Sequence, residues 1–66
     1  MTKAEAIDAL SQGQKVTHYY FTDDEWMKES DGFYKFEDDV FCPIEEFWKI
    51  RQLEGWQDGW ELFNNS

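Results

Sequence analysis

The chain of 66 residues has only one cysteine and one histidine, the residues that cross-link small domains, bind metals or provide reactive groups. Its one cysteine, Cys42, has no partner for an internal disulfide. With a single histidine, His18, it falls short of the roughly four nitrogen or sulfur ligands of a zinc site. It has no apolar run near the roughly 20 residues of a spanning helix and no basic-then-apolar signal peptide. We therefore expect a soluble, cytoplasmic domain without a metal ion.

Motifs of catalysis and cofactor binding are missing as well. The sequence has no glycine-rich loop that could bind a phosphate. Asp31-Gly32 and residues 37–39 do not have the spacing of oxygen ligands that a calcium loop needs. His18 and Cys42 lie far apart, so a Cys–His nucleophile pair is not expected. We expect a packed or partner-contacting histidine and a small buried thiol. We predict no enzyme and no cofactor. An enzyme would need a cleft that holds perturbed carboxylates around His18.

Positive charge is scarce, because six basic residues face fifteen acidic ones and give a net charge of −9. Affinity for nucleic acid comes mainly from lysine and arginine side chains that neutralise phosphates, so direct binding of this acidic chain to nucleic acid is not expected. Anionic membrane surfaces are excluded by the same reasoning. The charge favours a basic protein partner, since opposite fields steer encounter. The alternative is that the acidity serves only solubility.

Aromatic residues are abundant and form 20% of the chain, including four tryptophans and six phenylalanines. A chain of this length buries only roughly 60% of its unfolded surface. Large aromatic side chains bury about 150–250 Å² each, which is how such a chain can build a core. We expect one domain over residues 1–66, with 64–66 as a flexible tail.

The start of the chain predicts a helix. Thr2 and Glu5 have the spacing of a capping box, in which each side chain takes a free backbone N–H of the first turn. Ile7 and Leu10 form an apolar stripe at helical spacing. Gly13 provides a left-handed stop.

Short strands and a second helix are predicted after Gly13. Asp31-Gly32 between two aromatic runs indicates a hairpin, and Pro43 suits the first position of a helix over 43–53. The first strand, 16–21, carries bulk on both faces and is expected to be an inner strand. The fold class is α+β, with the N-terminal helix and a second helix on an antiparallel sheet. The strands are expected at 16–21, 26–29, 33–36, 40–42 and 60–63.

The middle of the chain carries the candidate binding surface, because residues 21–46 hold ten acidic and two basic residues. The acids cluster at predicted turns, which lie on the surface. A row of fixed carboxylates can stand in for DNA phosphates, and neighbouring aromatics can add contact area. The alternative is a solvated acidic rim around an aromatic core. The predicted partner-binding residues are Asp23, Asp24, Glu25, Glu29, Asp31, Glu37, Asp38 and Asp39, with Trp26 and Tyr34.

Both ends of the chain resemble a group of small phage proteins. The segment EAIDAL at 5–10, then Gly13, Val16 and Phe21, is similar to the opening E-A-(L/I)-x-x-L-x-x-G-x-x-V-x-(R/K)-x-x-W. The segment DGWELF at 58–63 is similar to a D-W-E-(L/V) ending. The group includes the Thoeris anti-defence sponge family, which binds cyclic nucleotide signals at subunit interfaces.

The resemblance implies framework roles for a few residues. Gly13 would stop the helix, Ile7 and Leu10 would lie in the core, and Trp60 and Phe63 would form the closing strand. The longer central part of that family is replaced here by the acidic hairpin.

We therefore expect a non-catalytic phage or mobile-element protein that acts in the host cytoplasm. Its acidic, DNA-mimic-like face would inhibit a basic host protein, such as a nuclease or another nucleic-acid-binding protein. Two other classes stay open. One is a cyclic-nucleotide sponge, which requires a bound small molecule and a homo-oligomer. The other is a virion or assembly protein, which would self-associate through Trp48, Trp56 and Trp60.

Overall fold

The structure is a computed structural model, and it describes residues 1–63. Within these residues, two helices pack on a five-stranded antiparallel sheet of strand order β4-β3-β2-β1-β5. The predicted α+β class is confirmed, and the predicted tail at 64–66 lies outside the described residues. The elements are α1 Lys3–Ser11, β1 Val16–His18, β2 Met27–Ser30, β3 Phe33–Phe36, β4 Phe41–Pro43, α2 Ile44–Lys49, a 3₁₀ turn Glu54–Trp56 and β5 Trp60–Leu62.

Helix α1 begins and ends as its sequence predicts. The Glu5 N–H donates to Thr2 Oγ1 at 3.2 Å, and the Thr2 N–H donates to Glu5 Oε1 at 2.8 Å. Gly13 follows the helix with a φ of 85°, in the left-handed region that glycine adopts without steric cost. The predicted stripe is wrong at Ile7, which is 39% exposed, because Ala9 faces the sheet beside Leu10 instead.

Strand β1 is an inner strand, as predicted, but it ends at His18 rather than at residue 21. The Phe21 N–H donates to the His18 carbonyl at 2.8 Å, which closes a turn. The Tyr20 N–H donates to the His18 ring at 3.0 Å. These two bonds take the backbone out of the ladder, so the β-branched and aromatic pattern overstates the strand.

The predicted hairpin is confirmed between β2 and β3. Asp31 and Gly32 form its two-residue turn with φ angles of 50° and 82°. Positive φ at both central residues matches the twist of the flanking strands.

The second helix is shorter than predicted. Pro43 ends β4 and precedes α2, which stops at Lys49 rather than at residue 53. Two side chains bind the free carbonyls of the last turn: Arg51 Nη1 donates to the Phe47 carbonyl at 3.3 Å, and Gln52 Nε2 donates to the Lys49 carbonyl at 2.8 Å. Such bonds satisfy carbonyls that have no partner within the helix.

Both helices cover one face of the sheet, and the core lies between them and that face. Tyr34 belongs to this core with 1% exposure, so it cannot contact a surface partner as predicted. Its hydroxyl accepts a hydrogen bond from Trp48 Nε1 at 2.8 Å. Burial raises the pKa of Tyr34, although the Trp48 bond opposes the shift. The buried apolar residues are Ala6, Ala9, Leu10, Val16, Met27, Tyr34, Phe47 and Trp60.

Candidate functional site

Two acidic turns lie at the same end of the sheet. Strands β1, β2, β3 and β4 run alternately up and down, so the β1–β2 connection and the β3–β4 turn share one end. The β2–β3 turn, with Asp31, lies at the opposite end. The first end is named the acidic end, and the carboxylates of its two turns are Asp23, Asp24, Glu25, Glu37, Asp38 and Asp39.

Some carboxylates of the acidic end are held by local bonds. Glu25 Oε1 accepts from the Thr22 N–H and Asp38 Oδ1 accepts from the Val40 N–H, both at 3.2 Å. Asp39 forms an ion pair of 3.3 Å with Lys35, four residues before it. These contacts fix the shape of both turns, as side-chain bonds to nearby backbone commonly do.

Exposure leaves this end accessible to a partner. Glu25 is half-buried, and the other five carboxylates of the acidic end are exposed. Exposed carboxylates in well-defined turns can accept hydrogen bonds from a basic surface and form ion pairs with it.

The other predicted site residues are spread over the molecule. Glu29 is half-buried on the helix-covered face, where it pairs with Tyr34 across the strands. Trp26 is half-buried, and the Lys15 ammonium lies 4.2 Å from the centre of its ring. The structure therefore brings together seven of the ten predicted residues, because Trp26 directly follows Glu25 in the β1–β2 connection, and it separates Glu29, Asp31 and Tyr34 from them.

A tyrosine pair at the acidic end was not predicted as part of the site. Tyr19 and Tyr20 follow β1 and are 64% and 55% exposed, with ring centres 4.4 Å apart. Their aromatic character predicts a strand that continues through both residues, because aromatic residues favour strands. The neighbouring Tyr20 side chain raises the pKa of Tyr19, and loss of water and the Asp58 charge act in the same direction.

Two glycines make room for this tyrosine pair. A Cβ at Gly55 would overlap the Tyr20 hydroxyl, and a Cβ at Gly59 would overlap the Tyr19 ring. Gly59 also has a φ of 86°, which side chains rarely adopt. No local sequence pattern indicates this close approach, because the two glycines lie far along the chain from the tyrosines.

His18 anchors the loop that carries both glycines. It is 3% exposed, and its Nδ1 accepts from the Tyr20 N–H, so the proton lies on Nε2. Nε2 lies 2.9 Å from the Gly55 carbonyl and 2.7 Å from the Asp58 carbonyl. Both ring nitrogens are thus used inside the protein. Of the two expectations for His18, packed or partner-contacting, the structure shows the packed one.

The ring environment of His18 adds to this anchoring. Its ring centre lies 4.5 Å from that of Trp56 and 4.6 Å from that of Trp60. Trp60 Nε1 donates to the Trp56 carbonyl at 2.8 Å, so this indole N–H has a partner within the packing.

Residues 1–63 offer neither a candidate metal centre nor a candidate membrane span. No cluster of three or more His, Cys, Asp or Glu residues in this range is placed to hold a metal ion. Cys42 is half-buried rather than buried as predicted, with its thiol 3.6 Å from the Pro43 carbonyl. No helix in the described range is long and apolar enough to span a membrane.

Comparison of the chain with protein-family models, with curated proteins and with solved structures gives no match.

Proposed function

We propose that this chain is a non-catalytic binding protein, encoded by a phage or mobile element, whose acidic end docks on a basic nucleic-acid-binding protein of the host cytoplasm. The observation that carries the proposal is the meeting of two acidic turns at one end of the sheet beside an exposed tyrosine pair. Carboxylates would take the place of phosphates, and the docked protein would block the partner's nucleic-acid site.

The contact would combine charge with aromatic area. Exposed ion pairs contribute only about 0–1 kcal/mol each, so carboxylates alone give weak binding. Tyr19 and Tyr20 add stacking surfaces for arginine guanidinium groups, which lie well on aromatic faces. Their rings rest on the backbone at Gly55 and Gly59, so little side-chain order has to be gained on binding.

The sponge alternative has less support from the concave surfaces among the described residues. A groove of about 410 Å³ runs between α1 and β5. Glu5 and Asp8 lie in its wall, and their charges would repel an anionic nucleotide.

Assembly through the tryptophans has less support as well. Trp60 is fully buried, and Trp48 and Trp56 are half-buried. Their rings pack on each other and on the core, with Trp48 and Trp60 centres 5.4 Å apart. Little tryptophan surface is left for a second molecule.

The experiment is capture of partners from bacterial lysate, followed by competition with duplex DNA. We expect a basic nucleic-acid-binding protein to be retained at low salt and released at moderate salt. Duplex DNA should also displace this partner, and a partner with higher affinity for DNA should be displaced at a lower DNA concentration. A partner that binds the chain and DNA at the same time would contradict the mimic mechanism. Absence of any basic partner would contradict the proposal itself.

A further inference from the structure

The sheet face opposite the helices carries lysines and aromatic residues in place of acids. Strand alternation places Lys15, Lys28 and Lys35 on this face, which we name the open face. Of the fifteen acidic residues, strand alternation adds only Glu61 to it. Its aromatic side chains are Trp26, Phe33, Phe41 and Phe63.

The three lysines form one row across the sheet. Lys28 pairs directly with Lys35, and Lys35 pairs with Phe41. The pairing of Val16 with Met27 sets Lys15 opposite Lys28, one step along the ladder. Neighbouring strands lie about 4.8 Å apart, so the row presents three ammonium groups over roughly 10 Å.

Such a row is unfavourable for an isolated monomer. Like charges directly opposite each other on neighbouring strands destabilise a sheet. This chain has abundant carboxylates, yet only one of these lysines, Lys35, forms an ion pair among the described residues. The row is also flanked by exposed apolar surface, with Phe33 41% and Phe41 53% exposed.

From this placement we infer that the open face binds the acidic end of a second copy of this chain. Each acidic turn carries three consecutive carboxylates, at 23–25 and 37–39. They would face Lys15 and Lys28, and Lys35 would exchange its own Asp39 for a carboxylate of the second copy. The exposed Tyr19 and Tyr20 beside those turns meet the exposed phenylalanines of the open face. Charge and apolar area are then complementary in one contact.

The contact joins two different surfaces, so it builds rings or open chains, or a two-fold dimer when the same contact forms reciprocally between two copies. Each copy carries a net charge of −9, which opposes association at long range. At physiological salt the Debye length is about 8 Å, so charges at the contact outweigh distant ones. The inference does not depend on the proposed host partner.

The test is sedimentation velocity of the purified chain at physiological salt over a range of protein concentrations. Lys28→Glu reverses the centre of the row, and Lys49→Glu makes the same charge change on the exposed surface of α2. We expect concentration-dependent association of the wild-type chain, weakened about tenfold or more by Lys28→Glu and little by Lys49→Glu. A monomeric wild type, or equal effects of the two variants, would overturn the inference.

Mixing variants tests the two-surface geometry. A chain with Lys28→Glu keeps its acidic end, and a chain with Asp23→Asn, Asp24→Asn, Asp38→Asn and Asp39→Asn keeps its open face. We expect neither to self-associate and their mixture to form one-to-one complexes. A mixture that stays monomeric while the wild type associates would overturn this geometry. Host-partner binding by the Lys28→Glu chain, measured separately, tests the proposed function alone.

Discussion

The two faces of the sheet differ in what covers them and in the charge they carry. The helix-covered face packs Tyr34, Phe47 and Trp60 into a core with almost no exposure. The open face keeps Phe33 and Phe41 about half exposed beside the lysine row. The net charge of −9 is therefore unevenly distributed over the surface, because three of the six basic residues lie on the open face and most acidic residues lie elsewhere.

The largest difference between the faces should be in stability. Phe47→Ala removes a fully buried ring and should lower the free energy of unfolding by about 3–5 kcal/mol, most of what a domain of this size has. Phe41→Ala, on the open face, should lower it by less than about 1 kcal/mol. Urea unfolding followed by tryptophan fluorescence measures both. Similar losses would mean that the two faces are equally packed.

Two neighbouring polar residues of β1, His18 on the helix-covered face and Thr17 on the open face, allow the same comparison of stability between the faces. His18→Phe leaves the Gly55 and Asp58 carbonyls and the Tyr20 N–H without their partner, so we expect a loss of about 2–4 kcal/mol. Thr17→Val, on the open face, removes one hydrogen bond to the Glu25 carbonyl and should cost about 1 kcal/mol.

Nitrogen NMR of His18 gives an independent check of this anchor. The ring should be a neutral Nε2–H tautomer, because Nδ1 accepts a bond. A ring protonated on Nδ1 at neutral pH would show that the anchor is wrong.

A pair of glycines tests how the tyrosines are held. Gly13 and Gly59 have nearly equal φ angles, 85° and 86°, but open space surrounds Gly13 while the Tyr19 ring lies against Gly59. Alanine should cost about 1–2 kcal/mol at Gly13 from backbone strain alone and more at Gly59. Thermal unfolding measures the difference, and equal losses would place the Tyr19 ring away from Gly59.

The smallest effect should be at alkaline pH, where Tyr34 titrates. Burial raises its folded pKa above the unfolded value of about 10. Its contribution to stability is therefore complete below pH about 10 and is lost as the pH rises through the folded pKa. Tyr34→Phe should flatten this decline, although it loses the Trp48 bond. A variant with the same alkaline slope as the wild type would assign the decline to other groups.

The sequence predicted the elements whose signals are local. The Thr2–Glu5 capping box, Gly13 and the Asp31-Gly32 turn act within a few residues, and all three are found. The ends of β1 and α2 were missed because side chains decide them: the His18 ring takes a backbone N–H, and Arg51 binds a free carbonyl.

The candidate site was predictable only in part for a related reason. The acidic turns were visible as clusters, but their shared end depends on the strand order. The lysine row was invisible, because Lys15, Lys28 and Lys35 are far apart in the chain and meet only through cross-strand register. Tyr34 was misplaced because an aromatic residue in an alternating strand can face either side.

The most direct measurement of the central claim compares two variants that lose the same charge in binding to a captured host partner. One neutralises the acidic end through Asp23→Asn, Asp24→Asn, Asp38→Asn and Asp39→Asn. The change at position 38 retains a side-chain oxygen that can accept from the Val40 N–H, so the turn keeps its bond. The other variant neutralises four exposed acids away from the acidic end through Asp8→Asn, Asp31→Asn, Glu45→Gln and Glu46→Gln.

We expect the acidic-end variant to bind about 30-fold more weakly or worse, since it loses four exposed pairs of about 0.5–1 kcal/mol each. The control should bind within about threefold of the wild type, since distant charges are screened. Equal weakening of both variants would mean that net charge alone drives binding and that the acidic end is no site.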